Sequence, residues 1–208
     1  MNVDTWLLFV FSTIFVSATP GSNMLLAFQF GLNYGIKKTL YTLAGLSLGL
    51  FVLLAASLAF VGWLSQTAPL LFEAMKGVAA LYLAYLGWQT WQNADQKMGQ
   101  SDVQVIPTAG KLFQTGVAVS LSNPKAILFF AALFPKFLQP QNDLMPQYVI
   151  LTISFFVIET FWQLVYAGSG KAMAAWLGQG KRLMWLNRMC GAIFVLLAIG
   201  LLQDLFWK

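Results

Sequence analysis

The chain alternates between long apolar segments and short polar connections. Six segments stay apolar over the roughly 20 residues that a helix needs to cross the hydrocarbon of a bilayer. Hydropathy locates such segments well and their ends less well, so the pattern predicts six transmembrane helices. The segments cover approximately residues 5–30, 39–64, 69–92, 112–138, 147–170 and 185–207.

The composition agrees with this pattern. Apolar residues make up 59% of the 208 residues and charged residues 9%, whereas soluble domains carry about 25% charged residues. A soluble fold of this size could not bury so much apolar surface. We therefore predict an all-α integral membrane protein, with residues 1–208 forming a single membrane domain. The 12 basic residues against 7 acidic ones suit a lipid bilayer surface and do not indicate a nucleic-acid partner.

The scarcity of reactive side chains excludes several classes of protein. The chain has no histidine and one cysteine, Cys190, so it offers no disulfide and no metal or haem site built from His and Cys. A Ser–His or Cys–His nucleophile pair is excluded for the same reason. We expect no cofactor, no metal and no enzymatic activity.

Helix-breaking polar residues interrupt the first and the fourth apolar segments. Breaking a helix within hydrocarbon leaves backbone N–H and C=O groups that need partners, because no water is available there. The two prolines, Pro20 and Pro124, lie 104 residues apart in a chain of 208. We predict that the two breaks face one another and line a solute path. The breaks are Thr19-Pro20-Gly21-Ser22-Asn23 and Ser122-Asn123-Pro124-Lys125.

The two halves of the chain resemble one another. Residues 1–92 and 112–208 each open with a broken segment and end with a glycine-spaced one, and the polar residues 93–111 form a linker between them. Because each half has three spans, the second copy must be inverted relative to the first. Many secondary transporters follow such a 3+3 inverted repeat, and their broken helices at matching positions mark the binding site.

Basic residues predict the orientation. The first, third and fifth loops carry most of them, which places these loops in the cytoplasm and both termini in the periplasm. These loops hold Lys37, Lys38, Lys97, Lys111, Lys171, Lys181, Arg182 and Arg188, against Lys76, Lys136 and Lys208 on the other side.

Lys125 is the most informative single residue. It follows Pro124 inside the fourth segment, where a charged group needs a partner or water. One interpretation is that its side chain extends to the membrane interface. The other, which we favour, is that the neighbouring helix break and Lys125 together form a polar site for a carboxylate or an acidic side chain.

Glu159 is the only acidic residue well inside a predicted segment. Trp162 and Tyr166 follow at helical spacing, so all three can share one helix face. Glu159 could be a counter-ion for Lys125, a proton carrier, or part of a pair that only fixes helix register.

The first break offers hydrogen-bonding side chains at Thr19, Ser22 and Asn23, and Gly21 allows close backbone approach. The helix that restarts near Gly21 directs its free N–H groups at the break, which suits a carboxylate or a lactone carbonyl. For this break alone, a proline kink satisfied by neighbouring helices would be the better interpretation. Two breaks at matching positions favour a binding site.

These motifs resemble the LysE/RhtB family of amino-acid exporters. The first break is similar to the family's TPGPN signature, with Ser22 where proline is common, and the second resembles its NPKA…FPxF stretch. An acidic residue also occurs in the fifth segment of such relatives. The matching residues are Thr19 to Asn23, Asn123 to Ala126, Leu133 to Phe137, Lys76, Gly77, Tyr82, Leu83, Leu86, Gly87, Leu186, Asn187, Arg188 and Gly191.

The resemblance implies a bacterial inner-membrane protein that exports amino acids with the proton gradient, most like the exporters of homoserine, homoserine lactone and threonine. We expect the solute carboxylate to meet Lys125 or a helix N-terminus and its ammonium to meet Glu159, which would also couple protons. The candidate substrate-binding residues are Thr19, Pro20, Gly21, Ser22, Asn23, Asn123, Pro124, Lys125, Glu159, Trp162 and Tyr166.

Other solutes stay open on the same fold: leucine, cysteine, a basic amino acid or a cation. A basic solute is disfavoured because Lys125 would repel it, and a passive channel is a further alternative. Gly45 and Gly49 form a GxxxG pattern that is typical of close helix packing, either within the molecule or between copies in a homo-oligomer.

Overall fold

The computed structural model describes residues 1–67, 69–92, 107–139, 141–168 and 181–206, and all regular structure in these ranges is helical. Each predicted apolar segment coincides with one helix or with a succession of shorter ones. Most of the predicted linker, residues 93–106, and Lys171 of the fifth loop lie outside the described residues. The elements are α1 Val3–Ala18, α2 Ser22–Tyr34, α3 Ile36–Thr67, α4 Pro69–Gln92, α5 Ala109–Leu121, α6 Pro124–Leu128, a π-helical turn Phe129–Leu133, α7 Phe134–Lys136, α8 Leu144–Gly168 and α9 Arg182–Phe206.

Two of the described helices are long and apolar enough to cross a membrane by themselves, Ile36–Ala59 within α3 and Leu144–Gly168, which is α8. The pair α1 and α2 and the pair formed by α5 with α6–α7 each pass as one bent span, with bends of 52° and 51°. A shorter apolar stretch, Asn187–Gly200, lies in α9. The described residues therefore support two to four spans, and the number six stays a prediction.

Glycines mediate the close contact between α3 and α5. Gly45 of α3 lies against the backbone carbonyl of Phe113 in α5, and Gly116 of α5 lies against the carbonyl of Thr42 in α3. One turn further along α3, a Cβ built on Gly49 would lie 2.6 Å from the Cβ of Ser120. The predicted GxxxG pattern is therefore used for packing within this chain.

Helices α4 and α9 contact one another reciprocally. A Cβ on Gly87 would lie 2.7 Å from the carbonyl oxygen of Gly191, and a Cβ on Gly191 would lie 2.7 Å from that of Gly87. The neighbouring contacts are also exchanged: the same Cβ on Gly87 would lie 3.1 Å from the backbone nitrogen of Val195, and that on Gly191 would lie 3.2 Å from the backbone nitrogen of Trp91. Gly87 and Gly191, like Trp91 and Val195, are separated by 104 residues, the same offset that separates the two helix-breaking prolines.

The π-helical turn follows from Pro135. Within this turn Phe134 donates its N–H to the carbonyl of Phe129, five residues earlier. The next residue, Pro135, has no N–H to give to Phe130. The hydroxyl of Ser57 on α3 donates to the Phe130 carbonyl instead, at 2.6 Å. A neighbouring helix thus satisfies the group that the proline leaves unpaired.

Candidate functional site

The first break leaves carbonyl groups free at the end of α1. Pro20 has no N–H, so the carbonyl of Val16, four residues earlier, lacks its helical donor. The ammonium of Lys125 fills this gap: its Nζ donates to the carbonyl of Val16 at 2.9 Å and to that of Thr19 at 3.1 Å. A cation at the C-terminal end of a helix is also favoured by the helix dipole.

Two further groups close the first break. The hydroxyl of Tyr166 on α8 donates to the carbonyl of Ala18 at 2.7 Å. Thr19 donates its own hydroxyl back to the carbonyl of Phe15 at 2.8 Å. The buried thiol of Cys190 lies 3.9 Å from the same carbonyl, which fits a packing residue. The break is thus bound by side chains of the second half of the chain as well as by its own.

The second break is closed locally. Pro124 is the first residue of α6, a position where its missing N–H costs nothing. The side chain of Asn123 caps this helix by accepting the backbone N–H of Lys125 at 3.1 Å. The carbonyl of Ser120, four residues before Pro124, accepts the backbone N–H of Asn123 at 3.1 Å. The second break therefore needs no partner from the first half for these groups.

The two breaks meet at a small cavity. Its volume is about 20 Å³, which is room for one water molecule and far too little for an amino acid. Its lining combines polar and apolar side chains. The lining residues are Val16, Ser17, Asn23, Leu50, Asn123, Lys125, Ala126, Phe129, Phe155 and Glu159.

Glu159 is 6% exposed and lies on the α8 side of this cavity. Although Lys125 borders the same cavity, the two do not form a direct ion pair, because the lysine Nζ is engaged by the α1 carbonyls. Ser17 and Gln163 flank the carboxyl group of Glu159, yet neither makes a hydrogen bond of good geometry to the described residues. A buried carboxyl without a direct ion-pair partner in this part of the chain is expensive in a membrane and is typical of a functional group.

Several other polar side chains around Glu159 have no partner among the described residues. Both amide atoms of Asn23 and of Gln163 lack a hydrogen bond, as do the hydroxyls of Ser17 and Thr13. All four side chains are buried, and Gln163 is 0% exposed. Each unsatisfied buried polar group costs about 1–3 kcal/mol. Ser17 and Asn23 line the cavity itself, and unsatisfied polar groups at a cavity are typical of a site for a polar ligand.

Aromatic and apolar side chains close the cavity on both sides. Towards the start of α1, the ring of Phe9 packs edge-on against Phe134 and Phe137, with centroids 5.7 and 5.2 Å apart. Phe129 and Phe155 connect this cluster to the cavity wall, with centroids 5.3 Å apart. A second buried cluster, which includes residues of α2, consists in part of Met24, Phe28, Leu46 and Tyr166. In this conformation the cavity is too small to hold an amino acid.

The structure brings most of the predicted site residues together. Thr19, Gly21 and Lys125 are in contact, since the Lys125 Nζ would lie 3.2 Å from a Cβ on Gly21. Lys125 therefore turns to the first break and not to the membrane interface. Tyr166 reaches the same break through its hydroxyl, and Asn23, Asn123 and Glu159 line the cavity. Pro20 shapes the break through the N–H it lacks.

Three predicted site residues lie away from the cavity. Ser22 and Pro124 are exposed, and Trp162 packs half-buried against the apolar cluster that contains Met24 and Phe28. Trp162 follows Glu159 at helical spacing, but its side chain packs against that cluster and does not line the cavity.

Sequence reasoning missed four contributors to the site. The carbonyl of Val16 could have been found, because it lies four residues before a proline in a membrane segment. Gln163 follows Glu159 by one helical turn, but its type alone suggests an ordinary interhelical hydrogen bond. Phe129 and Phe155 are two of the 18 phenylalanines, and no local signal separates them from lipid-facing ones.

A helical chain with ionisable and amide side chains buried between two broken segments is an integral membrane protein built around a polar centre. The family model described as LysE type translocator matches residues 14–205. The chain therefore belongs to the LysE family of translocators, which confirms the resemblance seen in its motifs.

Several similar proteins have names that describe amino-acid efflux. A "Homoserine/homoserine lactone efflux protein" of Salmonella typhimurium is 32% identical over 199 residues, which cover 94% of this chain and 95% of the relative. A "Leucine efflux protein" of Klebsiella pneumoniae is 30% identical over 198 residues, covering 93% and 92%. An "Uncharacterized membrane protein" of Vibrio cholerae is 27% identical over 195 residues, covering 94% and 95%. No solved structure matches the chain.

Proposed function

We propose that this protein exports small neutral amino acids and their derivatives across the bacterial inner membrane, with homoserine, homoserine lactone and threonine as the first candidates. Family membership and the efflux named for its relatives support this class of function. The observation that carries the proposal is the pair Lys125 and Glu159, which border one cavity between two broken helices without neutralising each other directly.

A zwitterion suits this pair. The carboxylate of the solute takes the ammonium of Lys125, and the ammonium of the solute takes Glu159. Lys125 must then leave the carbonyls of Val16 and Thr19, so binding is coupled to the opening of the first break. Because the cavity now holds only about 20 Å³, the surrounding helices must also separate before an amino acid can enter.

Alternating access follows from an inverted repeat. In this proposal the two halves are related by an axis that passes between Gly87 and Gly191, and one half rocks against the other around the site. The reciprocal contacts of α4 and α9 and the nearly equal bends of 52° and 51° support this arrangement. Glu159 carries the proton, taking it up from the periplasm and releasing it to the cytoplasm. Both termini then lie in the periplasm.

Leucine is the second candidate solute. The apolar wall formed by Leu50, Phe129 and Phe155 would accommodate a branched aliphatic side chain, and one relative is named for leucine efflux. Lys125 and Glu159 would bind the carboxylate and the ammonium group, which leucine shares with homoserine and threonine.

The test is efflux from liposomes that contain the purified protein and are preloaded with one labelled amino acid. We expect homoserine or threonine efflux that requires an inward proton gradient and stops when an ionophore collapses the gradient. Protein-free liposomes are the control. Efflux of lysine or arginine without homoserine or threonine would contradict the proposed substrate class, and efflux that ignores the gradient would indicate a channel.

A further inference from the structure

Gln163 is a deeply buried polar side chain beside the site. The proposed transport mechanism gives it no role. It lies one turn after Glu159 on α8 and is 0% exposed, yet neither its amide nitrogen nor its amide oxygen makes a hydrogen bond to the described part of the chain. An amide that served only to join helices would be hydrogen-bonded to a neighbouring helix. This amide has a donor and an acceptor to offer to a solute.

Asn23 on α2 shows the same feature. It is 3% exposed at the start of α2, lines the cavity together with Glu159, and leaves both of its amide atoms without a partner among the described residues. Two primary amides on different helices therefore flank one carboxyl group. Together they hold unused donors and acceptors, which remain after Lys125 and Glu159 have bound the charged ends of a zwitterion.

We infer that Gln163, together with Asn23, binds the side-chain oxygen of the exported amino acid and makes the site selective for solutes that carry a hydroxyl or lactone oxygen over purely aliphatic ones. This inference rests on the proposed function. A hydroxyl both donates and accepts, and a lactone oxygen accepts, so either is satisfied by an amide. An aliphatic side chain of the same size would leave the amides buried and unpaired, which a polar site rejects strongly.

The experiment compares homoserine with norvaline, which carries a methyl group in place of the hydroxyl. Transport of both is measured in liposomes with the wild-type protein and with the Gln163→Met variant, whose side chain has similar length and no hydrogen-bonding amide. We expect the ratio of homoserine to norvaline transport to fall at least tenfold in the variant. The matched control is Gln29→Met, since Gln29 is half-buried on α2 and does not line the cavity.

Thermal stability separates recognition from a structural role. If the amide awaits a ligand, Gln163→Met removes an unsatisfied buried group, and the Tm of the ligand-free protein rises or stays unchanged. A fall in Tm together with an unchanged transport ratio would overturn the inference and show a structural amide. The inference is also overturned if the ratio is unchanged at unchanged Tm, while the proposed function then survives. A wild-type protein that transports neither solute would overturn both.

Discussion

The two helix breaks have nearly the same bend and each contains a proline, but their unpaired carbonyl groups are satisfied in different ways. At equivalent positions, the carbonyls of Val16 and Ser120 each lie four residues before the proline and lose their helical donor. Ser120 is satisfied by the N–H of Asn123, three residues on. Val16 is satisfied by the ammonium of Lys125, which comes from the other half of the chain.

Under the proposed function, this difference identifies the first break as the one that responds to a solute. The second break is complete within its own residues and is braced at the π-helical turn by Ser57. The first break depends on Lys125 and Tyr166, so any ligand that attracts Lys125 also loosens the end of α1. The proposed transport site would therefore have one fixed wall and one wall whose closure is coupled to solute binding.

Removing the ammonium group of Lys125 should have the largest effect, because the first break depends on it and the second does not. In Lys125→Met the carbonyls of Val16 and Thr19 lose their donor, and the solute carboxylate loses its cation. We expect efflux of homoserine to fall more than tenfold and stability to fall by about 1–3 kcal/mol for each carbonyl left buried and unpaired. The measurements are liposome efflux and thermal unfolding, with Lys111→Met at the exposed start of α5 as the control. Wild-type efflux in Lys125→Met would remove this lysine from the mechanism.

Glu159→Gln separates the proposed proton-coupling role of Glu159 from the solute-binding role of Lys125. The variant keeps the size of the side chain and cannot carry a proton. We expect net efflux to lose its dependence on the proton gradient, while exchange of labelled for unlabelled homoserine at equal pH continues at a reduced rate. Parallel measurements of both processes test this. If gradient-driven efflux persists unchanged, another group couples the proton.

Substitution of Gly87 and Gly191 tests the proposed axis between the two halves of the chain. Gly87→Ala and Gly191→Ala each place a methyl group 2.7 Å from the opposite carbonyl, and such overpacking costs about 1–3 kcal/mol. Because the contacts are reciprocal, we expect similar losses of stability in the two variants. Gly110→Ala is the control, since a Cβ there meets nothing within 4 Å. Losses that differ by several-fold would argue against a symmetric packing of α4 and α9.

Replacing each proline tests whether only the first break depends on Lys125. Pro20→Ala returns an N–H to the position that faces the Val16 carbonyl, so it should partly compensate Lys125→Met. We expect a coupling energy of about 1 kcal/mol from the double-mutant cycle, within the range for residues in contact. The same cycle with Pro124→Ala should give a smaller coupling, because the Ser120 carbonyl already has a local donor. Equal coupling energies would contradict the conclusion that only the first break depends on Lys125.

The smallest expected effect concerns the brace on the second break. Ser57→Ala leaves the Phe130 carbonyl without its donor, which Pro135 cannot replace. We expect a loss of roughly 0.5–1.5 kcal/mol in unfolding free energy and little change in efflux. Ser47→Ala serves as the control, because Ser47 lies half-buried on the same helix and borders an open apolar groove away from the second break. A large loss of efflux in Ser57→Ala would mean that the second half is not the fixed wall.

The sequence predicted the helices and the residues of the site better than the bonds between them. Long apolar segments are a strong signal, and prolines within them predicted both breaks. The direction of Lys125 was not predictable, because the residue can reach the interface, Glu159 or a free carbonyl, and only the packed helices decide among them. Its carbonyl partners on α1 carry no signal in side-chain type.

The sequence also did not predict which side chains of α8 face the cavity. Glu159, Trp162 and Tyr166 share a helical spacing, yet only the first lines the cavity while Trp162 packs against an apolar cluster. Most residues on every side of a membrane helix are apolar, so hydrophobic periodicity is a weak guide to the face turned to the site. Gln163 stands on the buried face and was indistinguishable from other membrane glutamines for this reason.

In the proposed function, the exported amino acid occupies the space between the two breaks. Ala126 lines the cavity without a polar group of its own, so Ala126→Cys in a Cys190→Ala background places a single thiol at the site. The direct measurement is the rate at which a small methanethiosulfonate reagent modifies this thiol, with and without homoserine, and with exposed Met145→Cys as the control. We predict that homoserine slows modification at position 126 several-fold and leaves position 145 unchanged, and equal rates at position 126 with and without a transported solute would contradict the account.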